Sequence, residues 1–173
     1  PLRRQRQMCI RDRTTGGVFP GSEDITLADA EQKNRQAVFF QQQLDLAVDR
    51  KLNVVIHQRD SWQDTLTTLK PYSGRLHAVF HCFSGTLAQA NELISLGHFV
   101  SFTGIVTFKN ARDVHSCAQK IPSGSFFLET DCPYLAPEPN RGKRCEPAYT
   151  LAVAEKVAAL RGPVSYTHLR AHE

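Results

Sequence analysis

Three residues that can bind a metal ion each follow a short apolar run in the sequence. His57, His81 and Asp131 come directly or shortly after residues 54–56, 78–80 and 126–128. Neutral imidazole and carboxylate suit a borderline or hard divalent cation such as Zn²⁺, Mn²⁺ or Mg²⁺. Two His and one carboxylate leave coordination positions open for water, which a catalytic ion needs. The pattern predicts a metal site, although a His at a strand end can also be a hydrogen-bonded structural residue.

The segments around these residues alternate between apolar runs and helical patterns. An amphipathic helix is predicted over residues 31–51, and it is followed by strands at residues 54–56, 78–80, 99–102 and 126–128, each with a helix after it. Short continuous apolar strands that alternate with helices are typical of a parallel sheet covered on both faces. We therefore expect an α/β chain of one helix and four βα units. The C-terminal ends of its strands meet at one edge, where distant residues can share an ion.

Helix boundaries are also marked locally. Ser61 with Asp64, and Thr86 with Gln89, have the spacing of a capping box at a helix N-terminus. Gly162 is expected to end the last helix.

Glu129 lies two residues before Asp131, so both face the same side if the strand extends that far. A second carboxylate at this place could act as a general base or orient water, and we predict a catalytic role for both residues. A salt-bridge partner inside the fold is the alternative interpretation of Glu129.

Three cations lie near the predicted strand ends. Arg141 and Lys143 follow the Asp131 strand, and Arg59 follows His57 by two residues. These side chains could bind a substrate phosphate. A solvated charged loop is the alternative.

Both ends of the chain differ in character from the rest, and we set residues 1–13 and 164–173 aside as tails that resemble translated sequencing-adapter sequence. The first tail holds five Arg and one Asp, and the second holds one Arg and one Glu. Residues 14–163 consequently carry 15 basic and 15 acidic side chains. The overall charge of +4 therefore gives no sign of a polyanion partner, and any nucleic acid must be bound by a local site.

Residues 14–163 are long enough for one domain but short for a whole α/β barrel, which takes about 250 residues. No apolar run approaches the ~18 residues of a membrane span. The Cys residues after residue 13 are scattered without a CxxC pair, so neither a disulfide framework nor a zinc ribbon is indicated. We expect a cytoplasmic protein with no membrane contact and no obligate protein partner.

Five motifs in this order resemble the TatD family of deoxyribonucleases. They are VVIHQRD at 54–60, HCFSG at 81–85, GIVTFKN at 104–110, LETDCPYLAP at 128–137 and RGKRCEP at 141–147. The resemblance runs from about residue 36 to 162. It implies a metal-dependent hydrolase of TIM-type (β/α) barrel fold that cleaves DNA phosphodiester bonds with one or two divalent ions (Mg, Mn or Zn). It also implies that His57, His81 and Asp131 bind metal.

The family's opening His-x-His strand and its GEIGLD-like motif have no counterpart in residues 14–30. The resemblance therefore implies that residues 14–163 are the C-terminal part of a barrel whose N-terminal strands are missing. Two alternatives stay open for function. One is a related barrel hydrolase that acts on an amide, ester or lactone, and the other is an inactive fragment.

Overall fold

The computed structural model describes residues 6–11 and 25–162, with side chains for residue 31 and residues 33–162. The remaining residues of the two predicted tails, residues 14–24 and residue 163 lie outside the described part. The described residues form two compact units, which divide between Ala78 and Val79.

The described residues of the first unit form two parallel strands and two α-helices. They are β1 (Arg6–Arg11), α1 (Ile25–Asp49), β2 (Val54–Arg59) and α2 (Trp62–Leu69). Its core consists of apolar side chains at helical spacing on α1, alternate residues of β2 and one face of α2: Phe40, Leu44, Ala47, Val54, Ile56, Leu66 and Leu69. Amphipathic patterning of this kind is what lets one helix face pack on a strand.

Strand β1 is an addition to the predicted fold. It pairs with β2 in parallel, with Arg6 opposite Val54 and Cys9 opposite His57. The sequence analysis predicted no strand there, because it set residues 1–13 aside as a tail that resembles translated sequencing-adapter sequence.

The second unit continues the alternation of strands and helices. Its elements are β3 (Ala78–His81, which starts at the last residue of the first unit), α3 (Leu87–Ser95), β4 (Phe99–Phe102), α4 (Arg112–Lys120), β5 (Phe126–Leu128) and α5 (Thr150–Arg161). Strands β3 and β4 are parallel, as are β4 and β5. The α/β class with parallel strands alternating with helices is thereby confirmed.

The register of these strands gives the sheet two different faces. Val79 lies opposite Phe99, and Ser101 lies opposite Phe127. Because side chains alternate along a strand, His81, Ser101 and Glu129 all belong to the face that carries Phe99 and Phe127. The other face is apolar: Phe80, Val100 and Phe102 are buried, Phe126 is half-buried, and the rings of Phe102 and Phe126 lie 5.4 Å apart.

The predicted helix boundaries are partly confirmed. Thr86 and Gln89 form the capping box at the start of α3, and Gly162 closes α5 with a φ of 81°. Ser61 is at the N-cap of α2 but makes no capping bond, because its hydroxyl pairs with Thr65 Oγ1 at 3.2 Å. None of the helices in residues 25–162 has both the length and the apolar character needed to cross a bilayer.

Candidate metal centre

His81 is the last residue of β3, and each of its two ring nitrogens contacts one carboxylate. Its Nε2 lies 3.1 Å from Asp131 Oδ1, and its Nδ1 lies 2.7 Å from Glu129 Oε1. The His81 side chain is only 8% exposed, whereas Glu129 and Asp131 are 27% and 30% exposed. The imidazole is therefore buried, whereas both carboxylates reach solvent.

Backbone hydrogen bonds fix the strand ends that carry these side chains. Phe83 N donates to Ser101 O at 2.9 Å, and Glu129 N donates to Phe102 O at 3.0 Å. Between His81 and Phe83 the chain passes through Cys82 with a φ of 51°, in the left-handed region that non-glycine residues rarely adopt. This turn points the Cys82 N–H at Glu129 Oε1, 2.9 Å away.

The Ser101 hydroxyl is a further donor to Glu129 Oε1. Ser101 is 2% exposed and is the one polar residue in the otherwise apolar strand β4. The sequence analysis assigned no role to Ser101 or to the Cys82 N–H. A buried hydroxyl within an apolar strand is the signal that could have identified Ser101, because buried polar groups are nearly always hydrogen-bonded.

The electrostatics of the cluster follow from these contacts. The hydrogen bond to Glu129 raises the pKa of His81 above its usual value, although burial of the ring acts in the opposite direction. Burial by itself would raise the pKa of Glu129, but the hydrogen bonds from His81, Ser101 and Cys82 N outweigh it and hold that pKa below its usual range. Glu129 is therefore ionised at neutral pH. Burial also raises the pKa of the Cys82 thiol to about 11.

The donor set fits a divalent cation at one position. Imidazole nitrogen and carboxylate oxygen are ligands for Zn²⁺ and Mn²⁺, and His81 Nε2 and Asp131 Oδ1 are close enough to contact the same ion. Glu129 occupies the other ring nitrogen, as carboxylates commonly do behind a metal-binding His. Within the described residues, however, no three His, Cys, Asp or Glu side chains are grouped so that they could hold one ion together.

His57 belongs to the first unit, where it is half-buried within β2. The sequence analysis placed it at the end of its strand, and this is wrong, because β2 continues to Arg59. The end of β2 lies two residues later than predicted, because the backbones of the polar residues Gln58 and Arg59 still pair with β1. A pattern of apolar residues does not reveal such pairing.

The predicted phosphate-binding residues have different surroundings. Arg59 is exposed, and its Nε lies 3.8 Å from Asp60 Oδ2. Arg141 is exposed, and its guanidinium lies over the Phe108 ring, 4.4 Å from the centroid. Lys143 is exposed in the same loop as Arg141.

The loop between Asp131 and α5 packs closely against the 3₁₀ helix Gly104–Thr107. Thr107 Oγ1 accepts from Glu138 N at 2.9 Å and donates to Gly104 O at 2.6 Å. At Gly104 a Cβ atom would lie 2.0 Å from Leu135 O, so only Gly permits this approach. The loop that presents Arg141 is thus fixed to the unit that carries Asp131.

Comparison with known proteins bears on this arrangement. A family model described as TatD related DNase matches residues 23–171. The chain belongs to the TatD family. The resemblance of its motifs is thereby confirmed.

Individual relatives agree with this membership. The protein named "Uncharacterized metal-dependent hydrolase YabD" from Bacillus subtilis (strain 168) is 40% identical over 134 residues, which cover 77% of this TatD-family chain and 52% of YabD. The similarly named YcfH from Escherichia coli (strain K12) is 39% identical over 133 residues, covering 76% of this chain and 50% of YcfH. The TatD-family chain therefore spans about half the length of these relatives.

Solved structures give the same picture of the fold. YJJV, a TatD homologue from Escherichia coli K12, superimposes with a TM-score of 0.71 at 30% identity, covering 76% of this TatD-family chain and 51% of YJJV. A TatD family hydrolase from Entamoeba histolytica gives a TM-score of 0.58 at 21% identity and supports the fold alone. The predicted fold, part of a TIM-type (β/α) barrel, is confirmed by the match to YJJV.

Proposed function

We propose that this chain forms part of a metal-dependent hydrolase that cleaves DNA phosphodiester bonds. The observation that carries the proposal is the 3.1 Å contact between His81 Nε2 and Asp131 Oδ1, two ligand atoms that the fold holds side by side. Membership of a family described as TatD related DNase supports DNA as the substrate, and the names of YabD and YcfH support the requirement for a metal.

His57, His81 and Asp131 are the proposed ligands of a divalent cation, Mg²⁺, Mn²⁺ or Zn²⁺, with one or two ions in the intact protein. Such an ion supplies Lewis-acid polarisation of the phosphate and of water when it is bound. The carboxylate of Asp131 is 30% exposed, so it can also accept a hydrogen bond from an incoming water and orient it toward the phosphate.

Glu129 is less suited to take a proton from water. A general base is most effective when its pKa is near the working pH, whereas the pKa of Glu129 is held below its ordinary value. Its contact with His81 favours the alternative interpretation from the sequence, that of an ion-pair partner inside the fold.

The proposed phosphate contacts are Arg59, Arg141 and Lys143. All three are exposed, as side chains that meet a polyanion must be. The Arg141 guanidinium lies over the Phe108 ring, and its N–H groups can bind the oxygens of a phosphate.

We also propose that the protein works in the cytoplasm. Cys82, Cys117, Cys132 and Cys145 are free thiols, which fits a reducing compartment.

A chimera tests the proposed activity, since the chain spans about half of its relatives. Residues 25–162 replace the matching segment of YabD, and DNA cleavage is measured with Mg²⁺, Mn²⁺ or Zn²⁺. We expect metal-dependent cleavage that His81→Asn and Asp131→Asn each reduce by about 100-fold or more, because each removes a ligand of the ion. Arg112→Met, an exposed change on α4, is the control. Turnover of a lactone or an aminoacyl ester without any cleavage of DNA would contradict the proposed substrate.

A further inference from the structure

Three hydrogen-bond donors converge on a single carboxylate oxygen in this protein. Glu129 Oε1 accepts from His81 Nδ1 at 2.7 Å, from Cys82 N at 2.9 Å and from the Ser101 hydroxyl. The donors come from β3, from the turn after it and from β4, whereas Glu129 follows β5. One oxygen is therefore hydrogen-bonded to groups from β3, from the turn after it and from β4, next to the end of β5.

We propose that Glu129 is a positioning residue, and that Ser101 and the Cys82 N–H hold its carboxylate so that it accepts the Nδ1–H of His81 and directs Nε2 toward Asp131 and a divalent cation. As far as the cation is concerned, this inference rests on the proposed function. Ser101 and Cys82 are not ligands in this account and act only through Glu129.

The chemistry of imidazole explains why such an acceptor matters. Either ring nitrogen of a neutral His can carry the proton, and only the other one has a lone pair for a metal ion. A carboxylate fixed beside Nδ1 retains the proton there and leaves Nε2 as the ligand atom. It also prevents rotation of the ring, because rotation would break the 2.7 Å hydrogen bond.

Ser101 makes the carboxylate itself rigid. A Glu side chain has several rotatable bonds, and immobilising it costs conformational entropy. The buried hydroxyl of Ser101 and the Cys82 N–H both donate a hydrogen bond to Glu129 Oε1 and so define its position. The left-handed backbone at Cys82 serves this contact, since it turns the N–H toward Glu129.

The first test is NMR spectroscopy of the full chain with ¹⁵N-labelled His, which requires neither metal nor DNA. We expect a hydrogen-bonded Nδ1–H resonance of His81, assigned by its loss in His81→Gln. Glu129→Ala should abolish the signal, and Ser101→Ala should broaden it through faster exchange with water. Thr103→Val is the matched control, because it removes another buried hydroxyl, which contacts Cys82 Sγ instead of Glu129.

The second test is zinc affinity, measured by calorimetry on the same variants. Loss of the carboxylate that orients a metal-binding His weakens metal affinity by about 10-fold to 100-fold, and we expect this for Glu129→Gln and a smaller loss for Ser101→Ala. Thr103→Val should bind zinc like the unchanged chain. Circular dichroism establishes that each variant is folded before it is compared.

The outcomes separate this inference from the proposed function. An Nδ1–H resonance that persists in Glu129→Ala would overturn the positioning role, and so would saturable zinc binding with equal affinity in Glu129→Gln and the unchanged chain. A resonance that depends on Glu129 in a chain whose His81 signals do not respond to zinc would support the positioning role and count against the proposed metal site.

Discussion

His81 Nε2 and Asp131 Oδ1 lie 3.1 Å apart although 50 residues separate them in the sequence. Parallel strands bring them together, because His81 ends β3 and Asp131 follows β5 by three residues. Glu129 accepts a hydrogen bond from the imidazole on one side of the ring, and Asp131, which is 30% exposed, reaches solvent on the other. A cation and a substrate can therefore approach from the side of Asp131.

Because the Gly104 backbone lies close to the Leu135 carbonyl, we expect even the small side chain of Ala at this position to lower the stability of the fold. Gly104→Ala would place a Cβ 2.0 Å from Leu135 O, and the backbone has to shift to relieve the overlap. Overpacking of this kind costs about 1–3 kcal/mol of the free energy of unfolding, which urea denaturation measures. Gly124→Ala is the control, since a Cβ there meets nothing within 4 Å. Equal stability of the two variants would refute the close approach at Gly104.

Tyr72 gives a prediction about alkaline pH. Its hydroxyl donates to Asp45 Oδ1 at 2.6 Å, and burial together with this bond raises the pKa of Tyr72 to about 12. The folded chain keeps the phenol proton to a higher pH than the unfolded chain, whose pKa is about 10. The stabilisation is therefore complete below about pH 10 and is lost as the pH rises toward about 12.

Tyr72→Phe tests this dependence because it keeps the ring and removes the hydroxyl. At about pH 8 we expect the variant to be less stable by about 1.5–3 kcal/mol, the usual contribution of a hydrogen bond to a charged group. The difference in unfolding free energy should narrow at about pH 11, where the unfolded chain has released the proton. A difference that stays constant over this pH range would show that the hydroxyl contributes only packing.

Arg161 is expected to stabilise the end of α4. Its guanidinium donates to Ala118 O at 2.6 Å, to Ile121 O at 3.0 Å and to Ser123 Oγ at 2.9 Å. These carbonyls have no partner within the helix, since they lie in its last turn or just after it. Arg161→Met keeps the aliphatic stem and should lower the unfolding free energy by about 2–3 kcal/mol. The exposed change Arg112→Met should have little effect, and equal losses in both variants would contradict the assignment.

Arg141 should contribute to DNA affinity through its charge. Arg141→Ala removes one of the proposed phosphate contacts, so the slope of log affinity against log salt should fall by about 0.7–0.9. Fluorescence anisotropy with a short DNA at several salt concentrations gives this slope. Arg112→Ala, which removes an exposed charge from α4, is the matched control. An unchanged slope in Arg141→Ala would remove this residue from the proposed phosphate contacts.

Much of the fold could be predicted because the signals for it are local. The apolar runs 78–80, 99–102 and 126–128 became strands, and the Thr86–Gln89 capping box formed as its spacing indicated. The same spacing failed at Ser61 because a second hydroxyl, Thr65 Oγ1, competes for its side chain one turn later. Local patterns therefore locate elements more reliably than they assign the bonds at their ends.

The candidate site was predictable only in outline. The positions of His81 and Asp131 at strand ends follow from the order of elements. The contacts of Ser101 and Cys82 with Glu129 depend on the register of β4 against β5 and on the left-handed turn after β3. The pattern of apolar residues predicts neither of these two features. The partners of Glu129 could consequently be identified only from the structure.

Calorimetric titration of the full chain with zinc, compared with Asp131→Asn and His81→Asn, tests the central claim most directly. The account predicts saturable binding by the unchanged chain and a loss of affinity of about 10-fold or more in each single variant, because each removes one ligand. The double variant should be little worse than either single one, since the two atoms serve the same ion. Zinc affinity that is the same in Asp131→Asn, His81→Asn and the unchanged chain would contradict a metal centre at this pair.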